Sequence, residues 1–219
     1  MKIATWNVNG IRARQAQVCE WVAREQPDIV CLQELKAEPS QIPEQCKLAD
    51  YYVYWHGTKG YSGVSLHVSK AFVEGEPVYT HPAFDMETRM VQVTVGNVVF
   101  ASVYVPNGGK SYPAKIEFMQ QLRAWSKALH AAGREVVLCG DINIARTEMD
   151  VHPRENKPGV IGQRPEERAL FEALLGDELV DVGRALDPDN PKSIAERAQS
   201  CTVLRDVGTS DHAPVMMIT

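Results

Sequence analysis

The sequence predicts an α/β protein in which mixed β-sheets are covered by helices. Short apolar runs rich in β-branched residues recur along the chain, several without polar alternation, as strands buried on both faces require. Segments of helical period fall between some of these runs but not all. Strands therefore outnumber helices, and a strictly alternating, doubly wound arrangement is not expected. No linker-like stretch interrupts the 219 residues, so a single domain spanning 1–219 is expected.

Strands are expected at 3–6, 29–32, 51–55, 64–68, 91–95, 98–105, 136–139 and 215–218. Three helices are legible between them. Residues 13–25 place Val18, Trp21 and Val22 on one stripe, and residues 114–131 place Phe118, Leu122, Trp125 and Leu129 at spacings of four, three and four. Residues 165–175 open on Pro165-Glu166-Glu167 and stop at Gly176. Proline at the first helical position, acids in the first turn and glycine after the end suit the unpaired groups and the dipole of a helix.

Composition narrows the class. Apolar residues make up 44% of the chain and charged residues 23%, which excludes disordered, collagen-like and coiled-coil chains. No run reaches the length of a membrane span, and the N-terminus enters a strand-like pattern without the apolar centre of a signal peptide. A soluble, cytoplasmic protein with no membrane partner is expected. The formal charge of −5 argues weakly against a polyanionic partner. That deficit is local: Glu172, Asp177, Glu178, Asp181, Asp187 and Asp189 face only Arg184 within 172–191, and the rest of the chain is neutral. Cys19, Cys31, Cys46, Cys139 and Cys201 form an odd set without a C-x-x-C pair. They read as buried free thiols of a reducing compartment, with neither a disulfide framework nor a zinc site.

Polar and acidic residues sit directly after the apolar runs. Residues 3–6 lead to Asn7 and Asn9, 29–32 to Gln33 and Glu34, and 136–139 to Asp141 and Asn143. The run 98–105 contains Tyr104 and leads to Asn107 and Lys110, while Asp211 and His212 precede the last run. A single Asp or Asn after a strand is an ordinary turn residue, and a lone tyrosine in a strand is usually a half-buried aromatic. Turns would equally accept Gly, Ser or Pro, yet acids and amides occupy nearly all these places. If the strands are neighbours, one rim collects oxygen ligands of the kind Mg²⁺ accepts, with amides and an imidazole able to donate to phosphoryl oxygens. His56, His67, His81, His130 and His152 lack such neighbours in sequence and are expected to be structural.

The stretches Trp6-Asn7-Val8-Asn9-Gly10-Ile11-Arg12-Ala13-Arg14, Leu32-Gln33-Glu34, Tyr104-Val105-Pro106-Asn107-Gly108-Gly109, Gly140-Asp141-Ile142-Asn143, Pro165-Glu166-Glu167-Arg168 and Ser210-Asp211-His212-Ala213-Pro214 resemble, in order, the motifs of the exonuclease III family of apurinic/apyrimidinic endonucleases. That family lies within the endonuclease/exonuclease/phosphatase superfamily. The Glu34, Asp141-x-Asn143 and Asp211-His212 motifs are shared across the superfamily, whereas the first, third and fifth stretches resemble its DNA-repair branch. The resemblance implies a four-layer αββα sandwich of two mixed β-sheets flanked by helices. It implies a Mg²⁺-dependent phosphodiesterase, Mn²⁺ suiting the same oxygens, which cuts duplex DNA 5′ to abasic sites and acts on damaged 3′ ends, as a monomer. Glu34 would be the main metal ligand, with Asn9 and Asp211 nearby. Asp141 would deprotonate the attacking water or protonate the leaving group, and Asn143 would help position the water. Asn7 would support the site, His212 and Tyr104 would contact the phosphate, and Asn107, Lys110 and Arg12 would meet the DNA.

The resemblance breaks once. After Pro191 the family continues with an aromatic, Arg-rich loop and a strand of the form Gly-Trp-Arg-Ile-Asp-Tyr, whose Asp orients the histidine. Here Lys192-Ser193-Ile194-Ala195-Glu196-Arg197 follows at once. A core strand cannot be lost without unpairing its neighbours, so a segment is expected to be missing between 191 and 192. If the deletion is real, a catalytically impaired relative that binds damaged DNA is the alternative. A superfamily phosphoesterase acting on other phosphates is a third reading, disfavoured by the Tyr104 to Asn107 motif and by Arg12 and Arg14.

Overall fold

The computed structural model describes residues 1–157, 159–186 and 198–219. The junction at Pro191-Lys192 lies outside them. The elements follow in the order β1 (Lys2–Asn7), α1 (Ile11–Glu25), β2 (Ile29–Gln33), β3 (Tyr51–Thr58), β4 (Tyr61–Ser69), β5 (Tyr79–Thr80), β6 (Met90–Val95), β7 (Val98–Tyr104), α2 (Tyr112–Ala131), β8 (Glu135–Asp141), α3 (Pro165–Gly176), α4 (Val182–Ala185), β9 (Ser200–Val203) and β10 (Val215–Ile218). They form two compact units, Met1–Tyr104 with Val137–Asp141 and Asp181–Thr219, and Val105–Val136 with Ile142–Val180.

The first unit holds two sheets. One has the strand order β3-β4-β2-β1-β10-β9. Its β1 and β2 run parallel, Ile3 opposite Ile29 and Asn7 opposite Gln33, because α1 carries the chain back between them. The neighbouring pairs are antiparallel, so the sheet is mixed. The other sheet has the order β5-β6-β7-β8, its β6–β7 hairpin closed by Gly96 at a φ of 61° beside Asn97. One apolar core lies between α1 and the first sheet, where the Trp6 and Trp21 rings meet edge to face at 5.5 Å. A second core, with Ile29, Cys31, Leu66, Val91, Val93 and Phe100, joins residues of both sheets. Burial on both faces explains why β2 carries four apolar residues in succession.

All eight expected strands are present. Those the sequence did not announce are β5, only two residues long, and β9, whose Ser-Cys-Thr-Val sequence has no apolar run. The four-residue α4, capped by the Asp181 carboxylate accepting from the Arg184 amide, is too short for a period to show. Helix α1 starts at Ile11, straight after Gly10 at a φ of 101°. Cys31 and Cys46 are buried thiols, but Cys19, Cys139 and Cys201 are half-buried, against the expectation of full burial.

In the second unit, α2 is capped by Ser111, whose hydroxyl accepts from the Ala114 amide, and packs against α3. Its buried stripe differs from the expected one. Phe118 and Leu122 are buried, while Trp125 and Leu129 are only half-buried; Lys115, Met119 and Ser126 complete the buried face.

Candidate active site

The parallel register of β1 and β2 builds the first part of the site. Pairing continues beyond the strands, with the Val8, Gly10 and Ile11 amides donating to the Gln33, Glu34 and Leu35 carbonyls at 3.0, 2.7 and 3.0 Å. Asn9, Glu34 and Lys36 take left-handed φ values of 45°, 54° and 52°, a conformation costly for side chains other than Asn and Gly and found where function dictates it. The side chains of Asn9 and Glu34 both reach Lys36 Nζ.

A continuous polar circuit follows. Tyr104, at the end of β7, donates its hydroxyl to Glu34 Oε1. Lys36 Nζ lies 3.0 Å from Glu34 Oε2 and donates to Asn9 Oδ1 at 2.5 Å. Asn9 Nδ2 donates to Asp211 Oδ1 at 3.0 Å, and the Asn9 amide donates to Asn7 Oδ1 at 3.0 Å. Asn7 Nδ2 then donates to Asp141 Oδ2 at 2.9 Å, and His212 Nε2 stands 3.9 Å from that same oxygen. The structure thus brings together Asn7, Asn9, Glu34, Tyr104, Asp141, Asp211 and His212. Arg12 is exposed on the first turn of α1.

Local chemistry fixes several of these groups. Burial pushes the Tyr104 hydroxyl well above its ordinary value, with the Glu34 carboxylate adding to the effect, so it stays a proton donor. Arg89, buried, lies over the Tyr104 ring at 4.9 Å and also donates to the Glu87 carboxylate at 3.0 Å and to the Tyr61 hydroxyl at 2.7 Å. Partial burial raises the Asp211 carboxyl, but the Asn9 amide and the His212 ring outweigh it and hold the group below its ordinary range. The loop bearing Asp211 and His212 is tied from beneath: Trp6 Nε1 donates to the His212 carbonyl at 2.8 Å, Ser210 Oγ to the Asn7 carbonyl at 2.8 Å, and Arg14 Nη2 to the Thr209 carbonyl at 3.2 Å. Gly140, just before Asp141, has no room for a side chain, since a Cβ there would fall 1.9 Å from the Val103 carbonyl oxygen.

Asn107, Lys110 and Asn143 belong to the second unit. Asn143 has a φ of 54° and donates Nδ2 to the Val105 carbonyl at 2.8 Å. Its own carbonyl accepts from Lys115 Nζ at 2.7 Å, and Lys115 pairs at 2.5 Å with Glu167, both side chains being fully buried. Glu167 Oε2 also accepts from the Gly162 and Arg164 amides, and Arg168 Nε donates to the Ala145 carbonyl at 3.1 Å. The Pro165-Glu166-Glu167-Arg168 stretch therefore holds the loop that carries Asn143. Asn107 and Lys110 are exposed; Asn107 Oδ1 accepts from the Gly109 amide at 3.0 Å.

Sequence reasoning passed over Lys36, Arg89 and Lys115. Lys36 and Lys115 carried one signal, a lysine beside a motif acid or within an apolar helical stripe. His56 and His81 are expected from the sequence to be structural, without chemical neighbours. The structure corrects this, placing both beside Asp85.

Two stacked sheets, with carboxylates, amides, a tyrosine and an imidazole gathered at the strand ends, define an α/β-sandwich phosphoesterase. The chain belongs to the Endonuclease/Exonuclease/phosphatase family, which matches residues 4–197. It is 30% identical to an exodeoxyribonuclease of Bacillus subtilis (strain 168) over all of this chain and 99% of that one. It resembles the solved structure of an AP endonuclease from Archaeoglobus fulgidus, with a TM-score of 0.82, 25% identity, and 100% and 98% of the two chains covered. It also resembles the 3′ phosphatase NExo from Neisseria bound to product DNA hairpin, with a TM-score of 0.83, 27% identity, and 99% and 98% coverage. These likenesses bear out the expected fold class of two sheets flanked by helices.

Proposed function

We propose that this chain is a metal-dependent DNA repair nuclease that uses Mg²⁺ to hydrolyse the phosphodiester 5′ to abasic sites in duplex DNA, with 3′–5′ exonuclease and 3′-phosphodiesterase activity at the same site. The observation that carries the reading is the circuit linking Glu34, Asn9 and Asp211 to Asp141 and His212 through Asn7. The DNA assignment draws on the Archaeoglobus AP endonuclease and on the DNA hairpin held by the Neisseria relative.

The donor set fits a hard cation, because oxygens of Glu34 and Asn9 already converge on the single positive charge of Lys36 Nζ. Glu34, with Asn9 and Asp211, would hold Mg²⁺ or Mn²⁺, a carboxylate-and-amide set that leaves room for waters. When bound, the metal supplies charge neutralisation at the phosphoryl oxygens. Asp141, steered by Asn7, takes the proton of the attacking water or gives one to the leaving oxygen. Asn143 helps position that water. His212 and the protonated Tyr104 donate to non-bridging oxygens, where charge builds up. Water adds to phosphorus as the bond to the upstream 3′ oxygen breaks, leaving a 3′-hydroxyl and a 5′-phosphate. Asn107, Lys110 and Arg12 contact the DNA backbone. An abasic nucleotide has no base to unstack and is cheaper to extrude than an intact one. In this reading the protein works as a cytoplasmic monomer.

The test is a synthetic abasic duplex, which should be nicked with Mg²⁺ and survive in chelator. No nicking in either condition would overturn the reading. A second reading, a damaged-DNA binder of reduced activity, is favoured by one observation. The alignment with the Bacillus protein runs over 259 positions against the 219 residues of this chain, so that relative carries residues this chain lacks; if they fall at 191–192, the carboxylate that would orient His212 is among them. Salt-dependent binding to the abasic duplex without product at long incubation would select it, and the gene sequence across that junction would decide whether the stretch is truly absent.

A further inference from the structure

We propose that His56, His81 and Asp85 form a second metal site, one that takes Zn²⁺ or a similar nitrogen-preferring divalent ion and is separate from the oxygen-lined Mg²⁺ site. One ligand atom from each residue lies within 4.8 Å of the other two. His56 Nε2 is 2.6 Å from Asp85 Oδ2, and the two imidazoles are stacked with centroids 3.8 Å apart. Two imidazoles and one carboxylate are the three protein ligands of an open zinc site, with water in the fourth position, and imidazole selects Zn²⁺ over Mg²⁺.

The outer groups are already arranged for this. His81 Nδ1 lies 2.9 Å from the Met90 carbonyl, so it carries the proton and leaves Nε2 with its lone pair available. Asp85 Oδ1 accepts from the Arg89 and Met90 amides at 2.9 and 2.8 Å, which directs Oδ2 toward His56. The Tyr54 hydroxyl, 2.9 Å from His81 Nε2, donates to it now; a metal replaces that one bond. Binding at His56 moves its proton from Nε2 to Nδ1. His81 is exposed and the other two are half-buried, so an ion can reach the site from solvent. The site also adjoins the candidate active centre through Arg89. The Arg89 amide holds Asp85, while its guanidinium packs over the Tyr104 ring. Zn²⁺ there would brace the 85–90 turn from which Arg89 reaches Tyr104.

The experiment titrates the full chain with Zn²⁺ calorimetrically in excess Mg²⁺, and with Co²⁺ followed by its visible absorption. One equivalent of Zn²⁺ should bind, and Co²⁺ should give the intense bands of a four-coordinate site. Affinity should fall at least about tenfold in His81→Gln and in Asp85→Asn and stay unchanged in Glu34→Gln. His81 is exposed, so its variant tests the site without touching the core. No binding in excess Mg²⁺, or binding lost with Glu34→Gln but kept with His81→Gln, would overturn the proposal.

Discussion

Asp141 Oδ2 accepts from the Asn7 amide and stands 3.9 Å from the His212 ring, so in the proposed function both residues would act at one centre. Asp141→Asn and His212→Ala should each lower kcat by about 10²–10⁴-fold while changing abasic-duplex affinity little, because both interactions strengthen in the transition state. Single-turnover rates set beside binding isotherms check this; an equal loss in binding alone would place them in docking. The buried pair Lys115–Glu167 gives a second residue-level expectation. Lys115→Met strands a fully buried carboxylate and should cost about 3–5 kcal/mol, of which Lys115→Met with Glu167→Gln recovers part. Urea unfolding of the three proteins measures it. Legibility at this scale was uneven. Asn7, Glu34 and Asp141 were visible because polar residues ended apolar runs, and Asp211 because it stands with His212 just before the last one. Lys36 and Lys115 were not, since a lysine beside an acid or on a helix ordinarily faces water. His56 and His81 are separated in sequence and meet only because the end of β3 and the turn after β5 come together.

Elements place these residues by register, and β8 shows how tightly. Gly140 carries a φ of 150° and lies against the Val103 carbonyl of β7. Gly140→Ala should therefore destabilise the fold by roughly 2 kcal/mol or more and displace Asp141, lowering activity beyond what the stability loss explains; thermal unfolding and kcat measured together test it. Strand β4 makes the fold sensitive to acid. Burial lowers the His67 pKa from 6.5 to about 3, so the folded chain keeps this ring neutral while the unfolded chain takes up a proton. Stability should be complete above pH 6.5 and fall as pH drops toward 3, by up to ~1.4 kcal/mol per unit. His67→Leu should flatten that slope in unfolding measured from pH 7 to 4. The apolar strands were readable because burial on both faces leaves unbroken hydrophobic runs. Strands β5 and β9 were not, since pairing with a neighbour rather than composition makes them strands.

For the whole molecule, charge is less informative than its distribution. The formal −5 lies in one acidic stretch and the remainder is neutral, so the proposed duplex binding would depend on particular cations. Affinity for abasic duplex should fall with rising salt, and Lys110→Ala should reduce the slope of log K against log salt by about one, uniformly across sequences. Fluorescence anisotropy over a salt series reads this directly. Among the described residues no helix is long and apolar enough to cross a membrane. The two-sheet architecture was legible from the strand count and the motif order, whereas the junction at Pro191-Lys192 was visible only as a break in resemblance.

Lys36 gives the molecule a placeholder. Its ammonium stands between Glu34 and Asn9, so these oxygens already face a positive charge, and the fold around them would not depend on a bound ion. Chelator should silence catalysis while barely moving the unfolding temperature. In the proposed function Lys36 would yield these oxygens to a metal and cover them again on its departure, so the centre would be free to exchange its ion.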